Sequence, residues 1–289
     1  MHSIGELRTE QFDILPHQLR VRVTRRPRYA CRACEGAVVV AEAPVQPIDG
    51  GMATEALIAH VLISKFCDSL PLYRQSQMLA RQGLATDRST LANRVGRACW
   101  WLTPLYDLVV STALSANKLF ADDTTLPVFD PGHGRTKTGR LWCYAVDDRP
   151  WCGPSISIAQ LPRISGASDL AKAMRYALRH WPGLIAFLED GRVEMDTNVV
   201  KRAIRPITLA RENALFAGSD GGARHWAIAI TLIQTAKLNG VEPLAWLTDV
   251  LVRIVSGRTR SHELNQLLPW NWLSIETSNS ATGEAAMAA

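Results

Sequence analysis

The sequence predicts a mixed, mainly α protein in which two helical blocks flank a short β segment. Three observations carry this. Apolar residues recur at helical spacing through residues 53–117 and again through 161–255, the period shifts to two within 118–160, and Gly- and Pro-containing stretches separate the blocks. Hydrophobic residues make up 47% of the 289 and charged ones 20%, so a packed core is feasible and wholesale disorder is excluded. The longest apolar-rich runs, 57–63 and 227–233, fall far short of the ~18–20 residues of a membrane span. Met1-His-Ser-Ile-Gly-Glu lacks the basic and apolar regions of a secretory signal. The chain reads as soluble and cytosolic, with no membrane partner.

Residues 1–52 are basic. Alternation in Gln18-Leu-Arg-Val-Arg-Val-Thr24 predicts a strand with Leu19, Val21 and Val23 on one face. Six Arg fall between Arg20 and Arg32, among them Arg25, Arg26 and Arg28, and the net charge of the chain is +5. Of its 32 basic residues 26 are Arg, the better phosphate ligand, although coding bias explains such an excess equally well. Of six Cys, at 31, 34, 67, 99, 143 and 152, only Cys31 and Cys34 have ligand-like spacing. Pro44, Pro47 and Gly50-Gly51 mark a linker.

Residues 53–117 read as consecutive helices. Thr54 is the N-cap of one running through Phe66, Pro71 fits N1 of a second over 72–81, and Gly83 fits its C′ position. Thr86 or Asp87 caps a third, short and polar-faced, whose early turns carry Arg88, Ser89, Thr90 and Asn93. That is what helix-turn-helix readout needs, because a recognition helix presents its first turns to base edges; generic helical packing accounts for the same pattern.

Residues 118–129 and 140–146 are β-like runs around the turn Asp130-Pro-Gly-His-Gly-Arg-Thr-Lys-Thr-Gly, which predicts a hairpin. Helices follow over 169–179, from Thr197 to Ile204 where Pro206 stops it, over 223–238 ending at Asn239-Gly240, and over 242–255. Residues 274–289 read as a frayed tail. Asp122 and Asp123 lie inside an otherwise apolar strand, where a carboxylate costs free energy unless paired or bound to metal.

Several motifs together resemble one family. Leu70-Pro-Leu-Tyr-Arg-Gln-Ser-Gln-Met-Leu, Asp87-Arg-Ser-Thr-Leu-Ala-Asn-Arg-Val-Gly, Ala121-Asp-Asp-Thr-Thr-Leu-Pro-Val, Asp147-Asp-Arg-Pro-Trp, Asp196-Thr-Asn-Val-Val-Lys-Arg-Ala-Ile-Arg-Pro and Asn213-Ala-Leu-Phe-Ala-Gly-Ser resemble transposases of the insertion-sequence-66 family. The resemblance spans roughly residues 3–272. It implies a ribonuclease-H-like core with a DDE triad of Mg²⁺-binding acids, a zinc-finger-like segment with two CxxC pairs, double-stranded DNA at the element ends as partner, and a bacterial, nucleoid-associated protein. Asp122 matches the first acid, with Asp123 beside it in a commonly acidic position.

Departures from the pattern shape the expected function. The segment that bears the family's second acid is missing, since Trp151-Cys-Gly-Pro runs directly into Ser155-Ile-Ser-Ile-Ala-Gln. Lys201 stands at the third-acid position. Cys31 and Cys34 match the second CxxC pair, and the first would lie upstream of His2; His2 and His17 lack the spacing to replace it. The sequence therefore reads as an N-terminally truncated, internally deleted copy, its core reduced to about a hairpin. The expected regions are a partial zinc-finger-like segment and linker over 1–52, a helical DNA-binding region over 53–117, a truncated core over 118–160, a helical C-terminal part over 161–273 and the tail. Two functions follow: a DDE transposase whose Mg²⁺-dependent strand cleavage and transfer is defective in this copy, or a DNA-binding remnant that represses or interferes with intact transposase; its expected protein partners are a second copy of itself or the intact transposase. Asp147, Asp148 and Glu194 are the carboxylates within the chain that would substitute for lost ligands.

Overall fold

A computed structural model describes residues 18–30, 38–130, 132–147, 155–160, 198–214 and 217–272. In chain order the elements are strands β1 (Arg28–Tyr29) and β2 (Val39–Val40), helices α1 (Glu55–Phe66), α2 (Leu72–Arg81) and α3 (Arg88–Leu114), strands β3 (Phe120–Asp130), β4 (Arg135–Val146) and β5 (Ile156–Gln160), helices α4 (Asn198–Ala214), α5 (Asp220–Leu238) and α6 (Pro243–Val255), and a 3₁₀ turn over Ser261–Leu267. The mixed, mainly helical class stands.

The first helices follow their local signals closely. The Thr54 hydroxyl accepts the Leu57 N–H at 3.4 Å and so satisfies one orphan donor of α1. Pro71 sits at the N-cap of α2, one position before the expected N1. Gly83, at φ +86°, closes α2: its N–H bonds the Ala80 carbonyl at 3.0 Å and the Leu84 N–H bonds Leu79 at 2.9 Å, the paired bonds of a Schellman motif. Asp87 is the N-cap of α3, which is not short: it runs 27 residues through Pro104. Leu91, Val95, Cys99, Leu102, Leu105 and Val109 form its buried stripe, so tertiary burial on one face sustains the helix beyond a propensity break.

Helix α5 is the centre of the core. Every residue from Trp226 to Ala236 is buried, as expected of a helix enclosed by the core on all sides. It packs against α1, α3, α6 and β5, and its Trp226 meets Phe66 of α1 edge-on at 5.8 Å. Ser219 caps it, and Gly240 at φ +72° ends it: the Gly240 N–H donates to the Lys237 carbonyl and the Val241 N–H to that of Ala236. In α6 the Glu242 carboxylate accepts the N–H groups of Leu244 and Ala245, and buried Trp246 donates its indole N–H to the Leu267 carbonyl at 3.0 Å.

The β region contains the expected hairpin, β3 with β4, and adds a third strand. Three antiparallel strands stand in the order β3-β4-β5, with Asp122 opposite Cys143 and Cys143 opposite Ala159. The loop between β3 and β4 covers only four residues, because β4 begins at Arg135 rather than 140. The third strand, only five residues long, is held by distant threonines. Thr231 and Thr235 of α5 accept the N–H groups of Ala159 and Ser157 at 2.9 and 3.2 Å, which satisfies the strand's outer edge. On the other edge Ala217 makes a parallel bridge to Val128.

Two further expectations fail. Residues 18–24 form no strand, and Leu19, Val21 and Val23 are exposed, because no neighbouring chain among the described residues pairs with them. Pro206 does not stop α4, which continues to Ala214. The carbonyl it deprives of an intrahelical bond belongs to Arg202, an exposed position within reach of solvent. The expected helix over 169–179 and the tail lie outside the described residues.

Candidate functional site

Strand alternation decides what the acidic pair can do. Successive side chains on β3 leave opposite faces of the sheet, so Asp122 and Asp123 diverge. Asp122 shares its face with Cys143 and Leu141, and its carboxylate accepts the Asp123 backbone N–H at 2.9 Å. Burial, with a smaller contribution from the Asp122 charge, pushes the Cys143 thiol up to about 12. Asp123 stands opposite Trp142 and takes an ion pair from Arg140 at 2.5 Å. Arg140 was not singled out in the sequence; its signal was a basic residue two positions from Trp142, where a cross-strand diagonal meets the acid.

Helix α4 packs against β3 and β4 and lays the motif of Lys201 beside the strand of Asp122. It buries Val199, Val200, Ala203, Ile204 and Ile207, while Lys201, Arg202 and Arg205 are exposed. The Asp147 carboxylate accepts the Ser155 hydroxyl at 3.1 Å; Asp148 and Glu194 lie outside the described residues. Among the described residues no three His, Cys, Asp or Glu side chains gather where an ion would sit. Two-metal chemistry needs carboxylates from separate elements converging within a few ångströms. The described residues do not fit it: Asp122 and Asp123 point opposite ways, Asp123 is engaged by a guanidinium, and Lys201 presents an ammonium.

The α2–α3 pair offers a different surface. Arg88, Ser89, Thr90 and Asn93 are all exposed on the first turns of α3, while Leu91 and Val95 anchor the opposite side. The Ser76 hydroxyl donates to the Thr86 carbonyl at 2.5 Å and so ties the intervening turn to α2. Tyr73, Ser76, Gln77, Asp87, Arg88 and Ser89 line a polar groove of about 430 Å³ between the two helices. Of the four expected reading residues the groove takes Arg88 and Ser89, while Thr90 and Asn93 are exposed on the same first turns outside it.

Arg25, Arg26 and Arg28 are exposed in the N-terminal segment, and Arg26 donates to the Ala41 carbonyl at 3.1 Å. Strands β1 and β2 pair with Arg28 opposite Val40 and Tyr29 opposite Val39. Cys31 and Cys34 lie outside the described residues. Two cysteines are half of the four ligands a structural zinc takes. Among the described residues no helix is long and apolar enough to cross a membrane.

Comparison with known proteins bears on these features together. The chain matches the Transposase IS66 family over residues 50–159 and 155–225. It also matches the IS66 C-terminal element over 231–270 and the zinc-finger binding domain of transposase IS66 over 1–35. It is 36% identical to the uncharacterized protein y4jD of Sinorhizobium fredii over an alignment of 399 residues, covering 97% of this chain and 78% of that protein. It is 34% identical to the uncharacterized protein y4qI of the same organism over 388 residues, covering 93% and 72%. No solved structure matches. On these matches the chain belongs to the IS66 family of transposases.

Proposed function

We propose that this chain binds the DNA ends of its element without cutting them. One observation carries the reading: Asp122 and Asp123 leave opposite faces of β3, with Asp123 held by Arg140, while Lys201 occupies the motif position on α4 where a third acid would stand. An ammonium cannot ligate Mg²⁺ and adds positive charge where a cation should bind. The comparisons lend support. Alignments of 399 and 388 residues exceed this chain's 289, and the two family matches meet at residues 155–159. A stretch of core bearing the second acid is then missing between Pro154 and Leu161. The three antiparallel strands are what remains of a ribonuclease-H-like sheet.

DNA recognition falls to two surfaces. Arg88, Ser89, Thr90 and Asn93 read base edges from the first turns of α3, and Arg25, Arg26 and Arg28 hold phosphates. Bound in this way, the chain occupies the ends that an intact transposase would cut, as a repressor or an interfering partner. The test is a salt-titrated binding assay with duplex from the element's own ends and a shuffled duplex. Preference for the end sequence, retained as salt rises, supports the reading. Equal affinity for both duplexes sinks it.

A further inference from the structure

A cavity of about 720 Å³ lies between α3, the first turns of α5 and the stretch from α6 into the 3₁₀ turn. It belongs to neither surface described above. Its volume lies in the range that takes a drug-sized ligand. Trp100, Trp101, Ile228, Arg224, His225 and Arg260 are among the residues lining it, and none of the lining residues is acidic.

Trp100 is unusual there: it is 57% exposed, although it stands beside a buried stretch of α3. Its orientation is fixed all the same. Trp101 meets it edge-on with ring centres 4.8 Å apart, and the Arg97 guanidinium stacks over it at 4.5 Å. Trp101 is anchored in turn by its indole N–H, which donates to the Pro47 carbonyl at 2.9 Å. Arg224 and Arg260 are exposed at the rim. Glu263, the acid nearest Arg260 in sequence, turns its carboxylate back onto the Arg260 backbone N–H at 2.9 Å. Burial and the neighbouring Arg224 push the His225 imidazole below its ordinary value, so near neutral pH it presents one donor and one acceptor. Close packing leaves it little freedom, since a Cβ on Gly96 would come within 3.1 Å of its ring.

A preset aromatic face, guanidinium groups at the rim and a neutral polar ring inside match a base joined to a phosphate. We propose that this cavity takes one unpaired nucleotide of a DNA strand, its base stacked on Trp100 and its phosphate on Arg224 and Arg260. Stacking on an aromatic platform tolerates any base, because every base has a π face. The site is therefore independent of sequence readout by α3, and it would hold a frayed or extruded nucleotide beside a bound duplex.

The test uses the full chain and a fluorescein-labelled oligothymidylate, read by anisotropy, against a shuffled duplex of equal length. Trp100→Ala should weaken oligothymidylate binding roughly ten-fold while duplex binding stays unchanged. Trp100→Phe should restore most of the loss, and Arg224→Gln with Arg260→Gln should weaken binding and flatten its salt dependence. Arg88→Ala should leave the oligothymidylate untouched, so a failure of end recognition and a failure of this site read out separately. No oligothymidylate binding, unchanged binding in Trp100→Ala, or an equal loss on duplex would each overturn the proposal. Thymidine monophosphate binding as tightly as the oligonucleotide would overturn the strand as its source.

Discussion

The helical region and the sheet region of this molecule differ in how well their polar groups agree with their surroundings. In α1, α2, α5 and α6 the caps and end signals serve the local fold: Thr54, Gly83, Ser219, Glu242 and Gly240 each satisfy backbone groups at a helix end. In the sheet, the side chains with the strongest chemical potential serve nothing in common. Asp122 and Asp123 diverge, Arg140 neutralises one of them, and Lys201 sits on the exposed side of α4. On the proposed reading, scaffold and chemistry have separated. A core can keep its packing after the site it positioned has lost its ligands, because burial is collective and ligation depends on single residues.

The first way to break this contrast is to measure stability on both sides of it. Trp246→Ala should cost about 3–5 kcal/mol, since it empties a fully buried volume and removes the indole bond to Leu267. Asp122→Asn should cost no more than about 0.5 kcal/mol, because an amide oxygen can still accept the Asp123 N–H. Urea unfolding of both variants checks this. A loss at Asp122 as large as at Trp246 would mean that the carboxylate is structural.

A second prediction sharpens the contrast through DNA. Arg88→Ala should cost about 1–3 kcal/mol of affinity for element-end duplex and relax sequence preference. Arg25→Ala and Arg26→Ala should weaken binding evenly across sequences, each lowering the salt slope by about 1. An unchanged sequence preference in Arg88→Ala would remove α3 from base readout.

The helical region has one misfit of its own. Lys65 lies against the rings of Phe66 and Trp226, each 4.9 Å away, and burial pulls its ammonium down to about 8. A lysine depressed in this way destabilises the fold wherever the unfolded chain would be charged. The penalty is complete below about pH 8 and gone above its unfolded value near 10.5. Loss of the two cation–π contacts offsets part of the gain, so Lys65→Met should stabilise by about 1 kcal/mol at pH 7. The difference from the parent should vanish by pH 10.5. Paired urea titrations at the two pH values check it; a gain that persists at high pH would point to packing instead.

Much of the helical region was legible because its signals are local. Thr54, Gly83 and Asn239-Gly240 carry their meaning within a few residues, and the structure ends helices where they stand. The sheet was less legible for the opposite reason. Strand β5 depends on Thr231 and Thr235, more than 70 residues away, and no period in 156–160 announces that. The strand expected at 18–24 had the right alternation and no partner among the described residues. Pro206 misled because a proline's cost depends on whether the carbonyl it orphans can reach water. In the candidate site, Asp122, Asp123 and Lys201 were visible as residue types, but their divergence and the Arg140 pair needed the register.

The smallest expected effect is also the most telling. Lys201→Glu alone should restore no chemistry, because on this reading the second acid and its supporting strands would still be missing. Repair should need both that change and the absent core segment between Pro154 and Leu161, so that acids from three elements can converge. The central claim is tested most directly by incubating the unmodified chain with element-end DNA in Mg²⁺ or Mn²⁺ and following strand scission under conditions where binding is saturated. The account predicts a bound duplex with no specific nick. Metal-dependent nicking at the element end, abolished by Asp122→Asn, would contradict it.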